Sequence, residues 1–279
     1  MRTFLFRPLL MAALAGSLFL GTACNRNKDA APDEDITSAE NSSDAESETA
    51  LSTDLLVAAA PQNEAQTGSP AVSDEADLRR VYGRCATRTY VADTRTLTID
   101  FGPTNCQCPD GKYRRGKIVV QFTGANLTRH DGAIVTRVNY FVNDNQHTAT
   151  RTFAALPNGS FSLNVTNGGI IFANNGGSCT WTANRTYIRT QGFGTPQVSD
   201  DVYTVSGQAQ GTNRKGVSYT ATISTPLTKR GDCYKYYVAG IITIANSQGK
   251  TLSLDYGNGS CDNLATVTVN GRTKTITLH

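Results

Sequence analysis

The chain has 279 residues, of which 39% are hydrophobic and 18% are charged, and its formal net charge is only +3. That small total conceals a strong asymmetry, because the acidic and basic residues are concentrated in different parts of the chain. The chain is therefore neither uniformly acidic nor uniformly basic. It divides the sequence into three segments, residues 1–23, 24–77 and 78–279.

The first segment has the organisation of an export signal. Arg2 and Arg7 precede an apolar run from Leu9 to Leu20, and small residues then lead directly to Cys24. The run is too short to span a bilayer. This order is typical of a bacterial lipoprotein signal, whose cysteine becomes the lipidated N-terminus; an ordinary secretory signal with an incidental cysteine is the alternative. The prediction is an outer-membrane lipoprotein, periplasmic or surface-exposed, held to the membrane by acyl chains on Cys24.

The second segment, residues 24–77, is acidic and contains no aromatic residue. Between Asn25 and Asp77 it holds 13 acidic and two basic residues. Such a stretch, rich in Ala, Ser, Asn and Asp and without hydrophobic periodicity, cannot bury enough apolar surface to offset the entropy of ordering. The prediction is a disordered tether, in which the short run Leu55–Ala60 forms at most a transient helix or a partner contact.

The third segment, residues 78–279, holds 22 basic and 10 acidic residues, which gives it a net charge of +12. All ten acidic residues are Asp, and every Glu of the protein lies in the tether. A body with this charge attracts polyanions through a salt-dependent field. The candidate partners are acidic glycans, lipopolysaccharide and the protein's own tether, with nucleic acid the least favoured; a merely solvated basic surface is the alternative.

Alternation with a period of two residues dominates from Leu78 onward, and helix patterning is absent. In the stretch TLTIDF, for example, Leu97, Ile99 and Phe101 share one face, and turn sequences such as PNGS, NNGGS and SQGK separate the alternating runs. The prediction is a single all-β, antiparallel domain. Its apolar faces are covered either in a sandwich of two sheets, the first choice, or by strong curling of one sheet, because no helical segment is available as a lid.

One motif occurs twice in this domain. Residues 85–106 and 233–261 both begin with Cys, continue through Tyr-Val-Ala to Thr-Leu-Thr/Ser-Ile/Leu-Asp, and end on Cys. Each copy predicts a β-hairpin whose two thiols meet at its base. Asp100 and Asp255, six residues before the second Cys of each copy, are predicted to accept backbone N–H bonds in the glycine-containing turn that follows.

Six cysteines remain after the lipidated one, and in an exported protein they meet an oxidising compartment. Structural bridges, each stabilising the fold by about 2–4 kcal/mol, are therefore favoured over free thiols. The duplication selects two of them, Cys85–Cys106 and Cys233–Cys261, and leaves Cys108 for Cys179.

Two metal-binding alternatives are weaker. The CQC stretch is able to ligate a soft metal or exchange disulfides, but it lacks a nearby His or second Cys pair at zinc spacing. A calcium site in DYGNGSCDN would lack the dense carboxylates of known calcium-binding loops. Its candidate oxygen ligands are Asp255, Asn258, Asp262 and Asn263. No metal and no cofactor is predicted.

The most concentrated basic cluster is KYRRGK, which directly follows the CQC stretch and its turn. One hypothesis is an anion-binding loop, in which the two arginines bind phosphate or sulfate in bidentate fashion and the tyrosine stacks on a sugar or base. A solvated hairpin tip is the alternative. The candidate anion-binding residues are Lys112, Tyr113, Arg114, Arg115 and Lys117.

The stretches TIDFG…CQCPDGKYRRGKI and LDYGNGSCDNLATVTVNG, together with DDVYTVSG and GVSYTATISTPL, resemble a family of uncharacterised lipoproteins from Bacteroidota-type bacteria. The resemblance extends from about Cys85 to Leu278. It implies placement in the cell envelope, and the family has no established activity. In such bacteria an acidic stretch soon after the lipidated cysteine resembles a surface-export signal, although here the acidic cluster begins only at Asp33.

No catalytic constellation is evident. The histidines His130, His147 and His279 are isolated, no G-x-S-x-G motif accompanies them, and the neighbours Asp200 and Asp201 would point to opposite faces of a strand. Enzymatic activity is not predicted. The prediction is a binding or structural module for anionic envelope or extracellular polymers. The alternatives are a periplasmic carrier of a lipid or hydrophobic ligand in a curled sheet and a secreted hydrolase.

Overall fold

A computed structural model of the protein describes residues 35–59, 82–124, 132–193 and 199–278. All of them belong to one compact unit, Asp35–His279. The export signal, Cys24, His130 and His279 lie outside the described residues, so what the sequence predicts for them stays a prediction. Within the described ranges, no helix has the length and the apolar character that crossing a membrane requires.

The described residues contain one α-helix, α1 (Thr37–Ala59), a 3-10 turn at Pro157–Gly159, and fourteen strands. The strands are β1 (Thr87–Val91), β2 (Thr96–Asp100), β3 (Cys106–Gln107), β4 (Tyr113–Phe122), β5 (Ala133–Val142), β6 (Asn145–Ala155), β7 (Phe161–Ile171), β8 (Ser178–Gln191), β9 (Val202–Thr212), β10 (Ser218–Arg230), β11 (Cys233–Asn246), β12 (Thr251–Asn258), β13 (Leu264–Val269) and β14 (Arg272–Thr277).

These strands form one antiparallel sheet in which almost every strand pairs with its neighbours in the chain. The spatial order runs from β1 through β2 and β4 to β14, and the short β3 pairs with β4 beside this path. The all-β, antiparallel prediction is confirmed. Of its two forms, the sandwich is wrong and the curled single sheet is correct.

One face of the sheet is buried along nearly its whole width. In β8, for instance, exposed and buried residues alternate, and the buried positions are Cys179, Trp181, Ala183, Arg185 and Tyr187. We call the face that contains these residues the inner face. Because strand side chains alternate between faces, the Thr and Asn residues between them lie on the opposite, outer face.

Glycines at β-bulges let the sheet curl. Gly116 has a φ of +89°, and a Cβ atom there would lie 1.9 Å from the carbonyl oxygen of Asn139. Gly240 has a φ of +105°, and its Cβ would lie 2.4 Å from the carbonyl oxygen of Pro226. The strand register shifts at both glycines. Bulges of this kind bend a strand and increase its twist, so they allow a long sheet to wrap around its own inner face.

Helix α1 corrects the prediction of a disordered tether for residues 37–59, whereas residues 24–34 and 60–77 of that segment lie outside the described residues. It lies against the inner face, mainly on β11 with further contacts to β10 and β12. Residues on all its sides are buried, among them Ala39, Asn41, Ala45, Thr49 and Ala50, none more than 3% exposed. The sheet therefore surrounds the helix, and the prediction that no helical segment covers the apolar face is wrong as well.

Local hydrogen bonds explain how such a polar segment folds as a buried helix. Asp35 begins it, because its Oδ1 accepts from both the backbone N–H and the hydroxyl of Thr37, at 3.0 and 2.6 Å. Further along, the Thr49 hydroxyl donates to the carbonyl of Ala45 at 2.7 Å, and the Thr53 hydroxyl donates to Thr49 at 3.1 Å. These groups are satisfied one turn back, so their burial leaves no unmade hydrogen bond.

The two duplicated hairpins are present. Each is closed by its predicted disulfide, with Cα–Cα distances of 5.5 Å and 5.6 Å, and the second is longer. Asp100 Oδ1 accepts from the Gly102 N–H and Asp255 Oδ1 from the Gly257 N–H, both at 2.8 Å, so their predicted turn role is confirmed. The first hairpin, β1–β2, forms the sheet edge, whereas the second, β11–β12, lies two strands inside the other edge.

The third predicted bridge is wrong. Cys108 and Cys179 are both buried free thiols, whereas Cys85–Cys106 and Cys233–Cys261 are bonded as predicted. Cys108 follows β3 in the turn before β4, and Cys179 lies on β8, with three strands between β4 and β8. That separation is about 19 Å along the sheet, at roughly 4.8 Å per strand, which far exceeds the Cα distance that a disulfide spans.

Candidate functional site

The predicted anion-binding loop is a strand, and it does not bring its arginines together. Arg114 and Arg115 are neighbours in β4, so their side chains point to opposite faces. Arg114 is fully buried and binds Asp110 in bidentate fashion, at 2.8 and 2.7 Å. Arg115 lies on the outer side and pairs with Asp144. Each arginine therefore already has its own carboxylate.

The other members of the cluster also diverge. Lys117 pairs with Asp100 at 2.8 Å, and that contact holds the pKa of the Asp100 carboxyl below its ordinary value. Tyr113 is exposed at the start of β4. Only Lys112 turns toward another functional feature, a cavity beside helix α1 that is described below.

A different group of basic side chains faces α1 from the inner face. We call it the arginine layer, and its members come from β5, β6 and β8: Arg137, His147, Arg151 and Arg185. Its anionic partners are Glu46 and Glu48 of the helix. Both carboxylates lie in the segment that holds every Glu of the chain. The sheet, whose own acidic residues are all Asp, thus receives these two buried carboxylates from α1.

Glu46 binds Arg185. The Arg185 Nε donates to Glu46 Oε2 at 3.3 Å, an Nη2 contact to Oε1 completes the pair, and Nη1 donates to the carbonyl of Asn184 at 3.0 Å. The two side chains are 3% and 0% exposed. A fully buried pair of this kind is strongly coupled, because little water screens it, and breaking it leaves a buried charge uncompensated.

Glu48 binds two members of the layer. It forms an ion pair with Arg137 and lies 3.4 Å from the Nδ1 of His147, and all three side chains are at most 8% exposed. Burial by itself would raise the pKa of the Glu48 carboxyl, but the charges of Arg137 and His147 outweigh it and hold that pKa well below its ordinary value. Glu48 is therefore ionised at neutral pH.

Arg151 is buried without such a partner. Its side chain is 0% exposed, and among the described residues none of its three guanidinium nitrogens has a hydrogen-bond partner. Burial, together with the nearby charge of Arg137, lowers its pKa to about 9. A buried cation without hydrogen bonds is costly. The inner face can therefore bind more anionic groups than the two carboxylates of α1 supply.

Aromatic rings surround these cations. The Arg137 guanidinium lies 5.3 Å from the ring centroid of Tyr140, and the hydroxyls of Tyr187 and Tyr237 are 2.7 Å apart. Such rings stabilise cations through their faces and are also the side chains on which sugars stack. The inner face under α1 is thus both cationic and aromatic.

A cavity of about 300 Å³ lies between α1 and the ends of neighbouring strands. Its basic lining residues are Lys112, His147 and Arg214, and its acidic ones are Asp44 and Glu48. Burial is the main cause that lowers the pKa of the Lys112 ammonium. Through Glu48 and His147 the cavity is continuous with the arginine layer.

The two alternative functions, a carrier and a hydrolase, would each require a different geometry. A carrier calls for an apolar cavity, but α1 fills the described inner face. A hollow of about 910 Å³ lies on the outer face, where Thr, Asn, Gln and Ser residues line most of it. A hydrolase calls for a serine beside a histidine, but the described His147 contacts Glu48 and the ring of Tyr140. Among the described residues, no group of three His, Cys, Asp or Glu side chains is arranged to hold a metal ion.

The period-two alternation of the sequence is enough to identify members of the arginine layer. In WTANRTY, Arg185 falls in phase with Trp181, Ala183 and Tyr187, and in TATRTF, Arg151 falls in phase with Phe153. A charged residue in phase with the buried positions of a strand must face the core. Such an arginine needs a buried anionic partner, which the strands themselves do not contain.

Comparisons of the chain with models of known protein families, with curated proteins and with solved structures found no match. The resemblance to a lipoprotein family stays a prediction. The function must therefore be inferred from the geometry of the inner face.

Proposed function

We propose that the protein is a lipid-anchored cell-envelope protein whose β-domain binds an acidic polysaccharide on its inner face. One observation carries this proposal. Arg151 is fully buried there, and among the described residues its guanidinium nitrogens have no hydrogen-bond partner, beside arginines that already bind carboxylates. A surface with spare buried guanidinium groups favours a ligand that brings several anionic groups.

The chemistry of the resident helix supports a carboxylate-bearing ligand. Glu46 and Glu48 present two carboxylates to Arg185 and Arg137, and a guanidinium group matches a carboxylate in planar, bidentate geometry. The rings of Tyr140 and its neighbours provide the faces on which sugar rings stack. A chain of acidic sugars combines both features.

The predicted anchor is consistent with such a ligand. Acyl chains on Cys24 would hold the domain at the outer membrane, where acidic polymers of the envelope or the surroundings are within reach. Labelling of the native host with a fatty acid tests this part: the wild type should incorporate the label and a Cys24→Ser variant should not. Equal labelling of both proteins would contradict the anchor.

Titration of the full-length mature protein with polygalacturonate tests the binding function. We expect saturable binding that weakens as salt increases, because part of the attraction is between opposite charges. Arg151→Met should weaken binding about tenfold, which corresponds to the loss of one buried charge-assisted contact. Arg272→Met is the matched control, because it removes the same charge from an exposed position on β14; its affinity should change less than about twofold.

Three further ligands complete the design. Neutral galactan should not bind, whereas heparin tests sulfate groups and lipopolysaccharide vesicles test phosphate groups on a membrane. Binding to the vesicles alone would contradict a polysaccharide ligand, and the same would follow from binding that ignores salt. Equal losses in the two arginine variants would contradict the inner face as the binding surface.

A further inference from the structure

We infer that the cavity beside Glu48 is the subsite where an acidic sugar first binds, and that α1 is a built-in competitor which the ligand displaces from the inner face. This inference rests on the proposed function and adds a site and a mode of regulation to it. The cavity supplies the docking chemistry, and the contacts of α1 supply the reason for its release.

The cavity offers donors that are not used elsewhere. Among the described residues, the Lys112 ammonium forms no ion pair, although it lines the cavity. Asn143 and Asn145 also line it, and their side-chain oxygens accept the backbone N–H groups of Tyr113 and Ala173, both at 2.9 Å. The oxygens are thereby fixed on the backbone, and the amide NH₂ groups remain as donors for a ligand.

The shape and the remaining walls suit one acidic sugar. A volume of about 300 Å³ lies at the lower end of the range for small-molecule sites. Phe172 provides an aromatic wall, and the Arg214 guanidinium lies 5.5 Å from the centroid of its ring. A carboxylate that binds Lys112 would therefore have an aromatic surface beside it for the sugar ring.

Glu48 connects this subsite to the inner face. Its side chain lines the cavity and at the same time binds Arg137 and His147 of the arginine layer. A ligand carboxylate in the cavity would bring a second negative charge close to Glu48. Like charges at short range repel strongly in a buried environment, so the incoming carboxylate competes with Glu48 for the same cations.

The contacts that hold α1 are suited to exchange. The segment 35–59 contains six acidic and no basic residues. Among its described side chains, those that are buried are mostly Ala, Ser and Thr. At its N-terminal end, Ser38 accepts a bond of 3.0 Å from Asn213, and Asn41 accepts one of 2.8 Å from the Arg214 N–H. Bonds of this kind can be replaced by water or by a polar ligand at modest net cost, unlike the packing of large apolar groups.

Competition of this kind has a measurable consequence. If the site is free in only a small fraction of molecules, the apparent dissociation constant rises by the inverse of that fraction. Changes that weaken α1 docking should tighten ligand binding, whereas changes in the cavity should weaken it. The two groups of variants therefore move the affinity in opposite directions.

The experiment uses the full-length mature protein and tetragalacturonate as the probe. Lys112→Met should weaken binding about tenfold, since it removes the free ammonium of the cavity. Lys117→Met is the matched control five residues further along the chain, because its side chain is 49% exposed and pairs with Asp100 outside the cavity; it should change the affinity less than about twofold. Glu46→Gln should tighten binding several-fold, because α1 then competes less well and Glu46, which binds Arg185, does not line the cavity.

Hydrogen exchange of the wild type gives a second readout that does not depend on a variant folding. Saturating probe should increase the exchange of α1 amides, while amides of β2 and β4 keep their protection. Trp181, the single tryptophan of the chain, is 3% exposed on the inner face, and its fluorescence should report the release of α1.

The outcomes separate the two proposals. Equal affinity of Lys112→Met and Lys117→Met would overturn the subsite, and full protection of α1 in the presence of bound probe would overturn the competition. The first result leaves the binding of longer polymers on the inner face intact. The second means that the probe binds outside the surface that α1 covers, so that Arg151 is not part of its site. Failure of polygalacturonate itself to bind the wild type would instead overturn the proposed function.

Discussion

The inner face of this sheet is buried in two different ways. At β2 and the middle of β4 it is apolar, with Leu97, Ile99 and Val120 at most 1% exposed. At β6 and β8, whose arginines belong to the layer that faces α1, it is charged, with Arg151 and Arg185 at most 2% exposed. The same degree of burial thus has two physical origins, removal of apolar surface from water in one part and pairing of opposite charges in the other.

This difference teaches which part of the structure can change state. Apolar burial does not depend on protonation and depends little on salt, so the strands around β2 and β4 should behave as a permanent core. The arginine layer is held by the charges of Glu46 and Glu48, which compete with other anions, and Glu48, whose pKa is held well below its ordinary value, also responds to pH. A protein that binds anions reversibly can therefore keep its sheet intact while it exchanges the occupant of the polar part.

The largest effect should come from the apolar part. Leu97→Ala removes a fully buried side chain that lies between Tyr90 and Val120 in the strand register. We expect a loss of about 3 to 5 kcal/mol in the free energy of unfolding, from the lost transfer energy and the cavity left behind. Denaturant titration measures this loss. Sheet and helix should unfold in one transition, and a loss below about 1 kcal/mol would contradict a close-packed core here.

The two disulfides sharpen the comparison, because they lie in different parts. Cys85–Cys106 closes the hairpin at the apolar edge, and Cys233–Cys261 closes the hairpin whose strand β11 contacts α1. Replacing either pair by alanines should cost roughly 2 to 4 kcal/mol, with similar values because the loops have similar lengths.

Only the second replacement should loosen α1. Hydrogen exchange of the α1 amides, measured in native conditions, distinguishes the two double variants. Each serves as the control for the other, since both lose one bridge. Faster exchange of α1 in the Cys85/Cys106 variant would show that the helix depends on the apolar edge as well, and the proposed independence of the two parts would be wrong.

The sheet was largely predictable because its signals are local. Alternation over five or six residues indicates a strand, and turn residues such as Gly and Asn separate the strands. The duplicated motif predicted two hairpins, their bridges and the turn role of Asp100 and Asp255, since each depends on residues within one copy. The pairing of Cys108 with Cys179 was inferred by elimination, and it was wrong because no local pattern reveals how many strands separate two cysteines.

Helix α1 was not predictable from composition. Criteria for disorder ask whether a segment can bury apolar surface, and the described side chains of residues 37–53 bury mainly small and polar groups. The segment is ordered by charges that lie far away in the chain, for example Arg185 for Glu46, 139 residues apart. The opposite net charges of tether and domain did indicate that the tether is a possible partner of the basic domain. Some strand arginines occupy positions that the alternation predicts to be buried. That pattern would have indicated where the tether contacts the sheet.

The smallest effect in free energy, and the one most specific to the polar part, should be an acid-induced release of α1. The folded-state pKa of Glu48 is lowered, so this carboxylate contributes stability that is fully present above its ordinary pKa, about 4.5. That contribution is lost as the pH falls from there through the lowered value. Asp35, at the start of the helix, shares this direction, with a pKa of about 2 that its hydrogen bonds to Thr37 chiefly cause.

We therefore expect the α1 amides to lose exchange protection, and the Trp181 fluorescence to change, at a higher pH than that at which β2 and β4 open. Glu48→Gln is the control: its α1 should be less protected at neutral pH and should respond less to acid, because the side chain no longer titrates. Loss of protection in α1, β2 and β4 at one common pH would mean that the arginine layer and the apolar core open together. In that case the helix would be an integral part of the core, and a ligand could reach Arg151 only by unfolding the domain.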